Sequence, residues 1–242
     1  MNVWAIADLH LAFGVPSKTM EVFGPQWINY AGKIESGWRA AVQPEDLVLI
    51  AGDISWAMHA ADARVDLEWI DHLPGTKVLI RGNHDYWWSS LTKVKQILPS
   101  SLHVIQNNVF NYQNISIGGA RLWDTDEFNF AGYIDFRESS TQEENRDSQK
   151  IFNRELERLE LSLKELKKEG AVRIAMTHYP PIGADLLPSK AAILFEKYGV
   201  QISVFGHLHN VKKERSLFGR KGNISYFLTS CDYLDFKPLK IF

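Results

Sequence analysis

Residues 77–88, KVLIRGNHDYWW, place a short apolar run directly before Asn83, His84 and Asp85. The apolar run is typical of a buried strand, and the Gly-Asn pair after it suits a tight turn. A turn by itself has no need of an imidazole beside a carboxylate. This segment therefore predicts a strand that delivers chemically active side chains at its C-terminal end.

Four further apolar runs, NVWAIA, DLVLIA, VRIAMT and ISVFG, also lead directly into acidic or imidazole side chains. Together with the amide of the opening segment, these polar residues are Asp8, His10, Asp53, Asn83, His178, His207 and His209. In an open α/β sheet, ligands bind at the C-terminal ends of the strands. We therefore expect residues that are remote in sequence to meet in one crevice.

Each of these motifs has an ordinary structural explanation when it is taken alone. Asp8 and His10 fit a helix cap followed by a surface histidine, Asp53 fits a turn, and His178 fits a loop. His207 and His209 are more specific, because residues spaced i, i+2 on an extended segment point to the same side. Five such coincidences at the same end of five strands are a poor explanation, so the pattern predicts a metal site.

The seven polar residues are too many for one tetrahedral ion and suit two ions. Imidazole and oxygen ligands without a thiolate fit manganese, iron or zinc, and they fit calcium or magnesium poorly. We expect two divalent or transition-metal ions, with manganese favoured over iron and zinc.

Composition limits the other function classes. The chain has 242 residues, 45% of them hydrophobic, and a net charge of −2, which predicts one large α/β domain with no general attraction for nucleic acid or anionic lipid. Cys231 is the single cysteine, which excludes a disulfide within this sequence and a thiolate zinc site. The first ten residues do not resemble a signal peptide and no apolar run predicts a membrane span, so we expect a cytoplasmic protein. The basic stretch 211–221 is interpreted as a solvated hairpin.

Strand and helix patterns alternate along the first part of the chain. Helical patterns at 25–42 and 59–73 lie between apolar runs, which predicts βαβ units. The runs between 101 and 120 are separated by short gaps, which predicts an antiparallel meander. A long amphipathic helix is predicted over 141–170, with Thr141 and Glu144 as a capping box and Gly170 as its stop. No repeat or linker divides the chain, so residues 1–242 are predicted to form a single domain.

The motifs D-x-H, GD, GNHD, H and GHxH follow one another from Asp8 to His209. In this order they resemble the calcineurin-like metallophosphoesterase superfamily. The resemblance implies a four-layer α/β/β/α sandwich with a dinuclear metal site at the strand ends. The segments MNVWAIADLHL and RGNHDYWWSS also resemble a group of uncharacterised bacterial phosphohydrolases of this superfamily.

The resemblance also implies roles for individual residues. One metal would take Asp8, His10, Asp53 and His209, and the other would take Asp53, Asn83, His178 and His207, so that Asp53 bridges the two. Two metals can clamp a phosphate oxygen and share a hydroxide for in-line attack.

Two residues beside the metal ligands are assigned to the chemistry. His84 is expected to stabilise the transition state or to protonate the leaving oxygen. Asp85 is expected to hydrogen-bond an imidazole and fix its tautomer, with a helix N-cap as the alternative.

Several aromatic residues near these motifs have two interpretations. Tyr86, Trp87 and Trp88 fit either the core, which burial statistics favour, or a surface that stacks on the substrate. Trp123 raises the same choice, and Trp87 and Trp123 are kept as candidate substrate-binding residues. Segment 123–136 is interpreted as a lid, a substrate wall or a partner contact, and segment 13–27 as a second wall.

Departures from known patterns narrow the function. Protein phosphatases of this superfamily show GDxVDRG and GNHE, whereas this chain has GDISWA and GNHD. The UDP-diacylglucosamine pyrophosphatases carry arginine at the position of His84. The expected activity is therefore hydrolysis of a small phosphate ester, with monoester and diester both open. The alternative is a non-catalytic metal-binding scaffold of the same fold. The sequence indicates no oligomeric state.

Overall fold

The computed structural model describes residues 1–134, 142–167, 169–212 and 217–242, without the side chains of 142–146. The chain forms two β-sheets flanked by helices in a mixed α/β fold. The first sheet has the order β11-β1-β2-β3-β4. Its strands are β1 (Val3–Ile6), β2 (Leu47–Ile50), β3 (Thr76–Ile80), β4 (Leu102–Ile105) and β11 (Leu239–Lys240). Strands β1 to β4 are parallel, and β11 pairs with β1 in the antiparallel direction.

The second sheet has the order β5-β6-β7-β8-β10-β9. Its strands are β5 (Val109–Tyr112), β6 (Ile115–Gly119), β7 (Val172–Met176), β8 (Ile202–Phe205), β9 (Gly219–Lys221) and β10 (Ile224–Leu228). The four strands β6, β7, β8 and β10 are parallel. The edge strands β5 and β9 are antiparallel to their neighbours.

Helices cover the outer faces of both sheets. Helices α1 (Tyr30–Ala41), α2 (Ala60–Asp71) and α3 (Leu91–Lys95) pack on the first sheet, and α4 (Gln142–Lys164) and α5 (Lys190–Lys197) pack on the second. A third apolar cluster, which includes Leu49, Val78, Ile117 and Val204, fills the space between the sheets. Strand β2 is buried along its whole length, which explains its continuous apolar sequence. These layers form the expected α/β/β/α sandwich.

Three expectations about the fold need correction. The predicted meander is wrong, because β4 pairs in parallel with β3, and of the three strands β4, β5 and β6 only the last two pair with each other, in the antiparallel direction. The long helix ends at Lys164, before Gly170. The helical pattern at 25–42 begins with a 3-10 turn, Pro25–Trp27, ahead of α1. Thr141 lies outside the described residues, as do 135–136 and 213–216 of the segments named above.

The last strands of the chain complete both sheets. Strand β10 lies beside β8 in the second sheet, and β11 lies beside β1 in the first. That residues 1–242 form a single domain stays a prediction. None of the helices among the described residues combines the length and the hydropathy of a membrane-spanning segment.

Candidate metal centre

The C-terminal ends of five parallel strands bring the predicted ligands together. Asp8, Asp53 and Asn83 follow β1, β2 and β3 of the first sheet, while His178 and the His207–His209 pair follow β7 and β8 of the second. The cleft therefore lies where both sheets end on the same side of the molecule. Parallel strands make this meeting possible, because their polar ends all point to one edge.

The first predicted ligand set meets around His10. The Nε2 atoms of His10 and His209 lie 3.2 Å apart. Nε2 of His10 is 3.7 Å from Oδ2 of Asp53, and Nε2 of His209 is 3.9 Å from Oδ1 of Asp8. Ligand atoms of Asp8, His10 and His209 all lie within 4.8 Å of one another.

The second predicted set meets around Asn83. Its Oδ1 atom is 2.7 Å from Nε2 of His178 and 3.1 Å from Nδ1 of His207. Nε2 of His178 is 3.4 Å from Oδ2 of Asp53, so Asp53 lies between the two sets. The structure thus brings all seven predicted side chains into one cluster.

Unusual backbone conformations aim these side chains into the cleft. Asp8, His10, Asp53 and His207 have positive φ angles of 58°, 46°, 51° and 72°. Non-glycine residues rarely adopt this region, and such strain concentrates at functional sites. Gly82 allows the close approach of two turns, because a Cβ atom there would collide with the carboxylate of Asp53.

Hydrogen bonds fix which nitrogen of two imidazoles faces the cleft. Nδ1 of His178 lies 3.0 Å from the carbonyl oxygen of Ala51, which leaves Nε2 toward Asp53. Nδ1 of His209 lies 3.0 Å from Oδ1 of Asp232, which leaves Nε2 toward His10. Partners of this kind orient metal-binding histidines and set their tautomer.

Sequence reasoning missed Asp232. A usable signal was present, because Asp232 follows the apolar run ISYFLTS just as the predicted ligands follow their own strands. It lies after β10, the neighbour of β8 in the second sheet.

Burial and neighbouring charges shift the pKa values of the cluster in opposite directions. Burial lowers the pKa of His10 to about 3, so its imidazole is neutral. Burial also lowers the pKa of His178, but the carboxylates of Asp53 and Asp8 outweigh it and raise that pKa to about 9. For Asp53, burial favours a higher pKa, yet His178 and His10 bring it below the usual range of a carboxyl group. Asp53 is therefore ionised, as a bridging ligand must be.

The donor set fits transition-metal ions. Two imidazole nitrogens that face each other at 3.2 Å, with Nδ1 of His209 already hydrogen-bonded, need a cation or a proton between them. Nδ1 of His10 is buried without a hydrogen-bond partner among the described residues. Imidazole nitrogen with carboxylate and amide oxygen is the ligand chemistry of manganese, iron and zinc.

A model of the calcineurin-like phosphoesterase family matches residues 1–211, most of the chain. The chain belongs to this family. Its members hydrolyse phosphoesters with divalent metal ions, and the Asp and His clusters at the strand ends are groups that could bind such ions.

One solved structure shares the fold, and two phage proteins are similar over part of the sequence. The crystal structure of the phosphopantetheinyl hydrolase of Mycobacterium tuberculosis has a TM-score of 0.55 and 14% identity, covering 95% of this chain and 88% of the other. The Gene 66 proteins of Mycobacterium phages D29 and L5 are 36% and 33% identical over 85 and 86 residues. These matches span 35% of this chain and 40% of each phage protein.

His84 lies beside the cluster and is held by aromatic rings. Its backbone N–H donates to Oδ1 of Asp53 at 2.8 Å. The ring of Trp56 lies 4.6 Å from the ring of His84 and stacks on His10 at 4.9 Å, with an interplanar angle of 21°. Trp56, which sequence reasoning did not single out, belongs to the GDISWA segment that departs from the protein-phosphatase pattern.

The expected role of Asp85 is wrong. Oδ1 accepts hydrogen bonds from the backbone N–H groups of Ile54 and Ser55 and from Nε1 of Trp87, and Oδ2 accepts from the N–H of Gly82. None of these partners is an imidazole. The N-cap alternative is also wrong, because Ser90 caps α3. Asp85 is fully buried and ties the turn after β3 to the turn after β2.

The aromatic residues of the opening segment divide between core and surface. Trp87 and Trp88 are 2% and 0% exposed, so the assignment of Trp87 to substrate binding is wrong and the core interpretation holds. Tyr86 is 51% exposed, and its ring is 6.2 Å from that of His84.

Trp123 lies on the wall of a cavity beside the metal centre. The cavity has a volume of about 230 Å³, and His207 and His209 line it together with Trp123. Residues 123–134 are tied back to the histidine loop by a bridge between Ile134 and Val211. This contact fits a fixed wall, one of the interpretations of segment 123–136.

Segment 13–27 also borders the centre, through Trp27. The ring of Trp27, which is 1% exposed, lies 5.6 Å from that of His209 and 6.4 Å from that of His10. Val22 and Phe23 of the same segment are 77% and 60% exposed. The buried ring of Trp27 therefore packs next to two of the imidazoles, while other residues of the segment face solvent.

Proposed function

We propose that this protein hydrolyses a small phosphate ester with two metal ions held at the strand ends. The observation that carries the proposal is the convergence of seven nitrogen and oxygen ligands from five strands of two sheets. Manganese is the proposed metal, with iron and zinc as alternatives. The cytoplasmic location expected from the sequence stays a prediction.

Asp53 is the central residue of the proposed mechanism. Asp8, His10, Asp53 and His209 would hold one ion, and Asp53, Asn83, His178 and His207 would hold the other. When bound, the ions polarise a phosphoryl oxygen and provide a nucleophile at neutral pH. The side chain of His209 is 26% exposed, which leaves one side of the centre open to a phosphate group.

His84 would act on the leaving oxygen. Trp56 restrains its ring from one side, and the hydrogen bond to Asp53 fixes its backbone. Burial lowers the pKa of His84 and favours the neutral imidazole. A neutral ring can donate a hydrogen bond from its protonated nitrogen to the oxygen on which charge develops.

The alternative function, a metal-binding scaffold without activity, is less consistent with this site. A protein that lost its chemistry would be expected to lose ligands or His84. All seven ligands and His84 are present, and each lies in the cluster or against it. The hydrolase is therefore the proposed function.

The test is an assay of manganese-loaded protein with p-nitrophenyl phosphate, bis-p-nitrophenyl phosphate and p-nitrophenyl thymidine phosphate. Asp53→Asn is the control, because loss of the shared carboxylate weakens both ion sites together. We expect turnover of at least one ester that is lost in the variant. No turnover of any ester while two metals are bound would contradict the proposal.

A further inference from the structure

The four imidazoles of the predicted ligand sets are oriented in two different ways. Nδ1 of His178 and Nδ1 of His209 each face an oxygen atom at 3.0 Å. For the nitrogens of His10 and His207 that point away from the cluster, no such acceptor lies among the described residues. Each of these two imidazoles instead has an aromatic ring packed on its face. A stacked ring therefore has the place that a hydrogen-bond acceptor has at the other two ligands.

Tyr179 provides the ring for His207. The two ring centroids are 3.9 Å apart, with an interplanar angle of 35°. Nδ1 of His207 lies 3.1 Å from Oδ1 of Asn83, so the edge of the imidazole is directed at the second predicted ligand set. Rotation of the imidazole out of its plane would bring it into the phenol ring. The contact therefore favours orientations that keep Nδ1 toward Asn83.

Tyr179 is itself fixed in position. Its backbone N–H donates to the carbonyl of Arg121 at 3.0 Å, and its own carbonyl accepts a hydrogen bond from the hydroxyl of Thr177 at 2.8 Å. Pro180 and Pro181 follow it, and the proline ring restricts φ at both positions. Tyr179 is 4% exposed. Its ring is thus a rigid surface beside His207.

Further side chains support the ring of Tyr179. The ring of Trp123 lies 5.0 Å from it, and the guanidinium of Arg121 lies over Trp123 at 4.5 Å. Nη2 of Arg121 is 3.6 Å from the buried carboxylate of Glu155 in α4. Aromatic pairs and cations over aromatic rings are attractive contacts. A continuous series of contacts therefore runs from α4 through Trp123 and Tyr179 to His207.

We propose that Tyr179 is the positioning residue of His207, and that its ring, supported by Trp123, holds the imidazole in the orientation that binds an ion. This inference rests on the proposed function, because it uses the assignment of His207 to the ion shared with Asn83 and His178. The contact is made by the ring and not by the hydroxyl. Phenylalanine should therefore replace Tyr179 without loss, and leucine should not.

The test compares manganese binding by Tyr179→Leu and Tyr179→Phe in calorimetric titrations. Removal of a group that orients a metal ligand typically lowers metal affinity about 10- to 100-fold. We expect the affinity for at least one of the two ions to fall about 10-fold or more in Tyr179→Leu. Tyr179→Phe should keep both wild-type affinities. Wild-type affinities in Tyr179→Leu, or an equal loss in the two variants, would overturn the inference.

Tyr226→Leu is the matched control. Tyr226 is also a buried tyrosine, 2% exposed, but its ring packs on Phe195 of α5 at 6.4 Å. This variant loses a buried phenol ring without touching His207, so it should keep both manganese affinities. A loss in Tyr226→Leu equal to that in Tyr179→Leu would overturn the inference, because any lost core ring would then weaken the metal.

A double-mutant cycle tests the support from Trp123. If Trp123 acts through Tyr179, Trp123→Leu should lower manganese affinity in the wild type and should have no further effect in Tyr179→Leu. Equal effects of Trp123→Leu in the two backgrounds would overturn the support that Trp123 is proposed to give.

Failure of the proposed function can be distinguished from failure of this inference. If two ions bind and no ester is hydrolysed, the proposed function fails, and the titrations still judge Tyr179. If the wild type does not bind two ions, ¹³C relaxation of the His207 ring in the metal-free protein judges Tyr179 instead. We expect a more mobile imidazole in Tyr179→Leu than in the wild type and Tyr179→Phe. Equal mobility in all three proteins would overturn the inference.

Discussion

The Nδ1 atom of His209 lies 3.0 Å from Oδ1 of Asp232, and the other carboxylate oxygen of Asp232 accepts the N–H of Asn210 at 3.0 Å. Asp232 is thus held on both sides, next to the histidine that it orients. Burial acts to raise its pKa, but the hydrogen bond and charge of His209 outweigh it and lower the pKa, so Asp232 is ionised. An ionised partner raises the basicity of the imidazole as a ligand.

Asp232→Asn should weaken metal binding without removing a ligand. The amide carries no charge. Its NH2 group is a hydrogen-bond donor, and it would face either the backbone N–H of Asn210 or the Nδ1–H of His209, both of which are also donors. We expect metal affinity to fall about 10- to 100-fold. The manganese concentration that gives half-maximal activity measures this change, with metal content as a second measurement.

Asp126→Asn is the matched control for that variant, because Asp126 is an exposed carboxylate. It should keep the wild-type manganese requirement. An unchanged requirement in Asp232→Asn as well would show that the hydrogen bond to His209 does not affect the metal.

Trp56→Leu should reduce turnover while leaving the metal content unchanged. The indole lies against the rings of both His10 and His84, and leucine cannot restrain two flat rings at 4.9 and 4.6 Å. A displacement of a catalytic group by about 1 Å can reduce the reaction rate up to about 100-fold. We therefore expect kcat to fall about 10- to 100-fold. Trp56→Phe, which keeps a ring, should recover part of the loss.

Trp69→Leu is the control for Trp56, since Trp69 is a half-buried tryptophan that packs on Phe13, away from the imidazoles. Equal kcat values in the two leucine variants would show that the ring of Trp56 does not position His84.

Asp85→Ala should destabilise the fold more than it affects any chemical step. The change leaves the buried N–H groups of Gly82, Ile54 and Ser55 without their acceptor. An unsatisfied buried donor costs about 1–3 kcal/mol, so we expect a loss of at least about 3 kcal/mol in the free energy of unfolding. Urea unfolding measures it, and a loss below about 1 kcal/mol, the level of a surface substitution, would contradict the structural role.

The metal ligands could be predicted because each belongs to a local pattern, an apolar run that ends in a polar side chain. The partners of Asp85 could not, because Ile54 and Ser55 are thirty residues away and only the packing of two turns brings them together. Strand β11 has two residues, too few to show any periodicity.

The sheet to which β4 belongs could not be predicted from the nearby sequence, and the reason is again long-range packing. The short gap before β5 favours a hairpin, but Ile105 of β4 and Ile117 of β6 both belong to the apolar cluster between the sheets. Long-range packing therefore divides β4 and β5 between two sheets. The role of Trp56 was hidden in the same way, since nothing local distinguishes it from a core tryptophan.

Asp46 gives a pH-dependent contribution to stability. Burial acts to raise its pKa, but hydrogen bonds from Asn2, Trp4 and Gln43 outweigh it and hold the pKa below 3.8. A carboxyl group with a lowered pKa stabilises the fold above its unfolded pKa and loses that contribution as the pH falls through the folded value. Asp46→Asn should therefore destabilise the protein at pH 7, and the difference should shrink below about pH 4. A difference that is constant from pH 7 to pH 3 would contradict this account.

Two metal ions are proposed to be held by seven side chains from two sheets. The most direct test is the metal content of the protein after loading with manganese and removal of free metal, measured by mass spectrometry of the ions. We expect two ions per chain in the wild type and fewer than one in Asp53→Asn, with both proteins folded. A wild-type protein that retains one ion or none under these conditions would contradict this proposal.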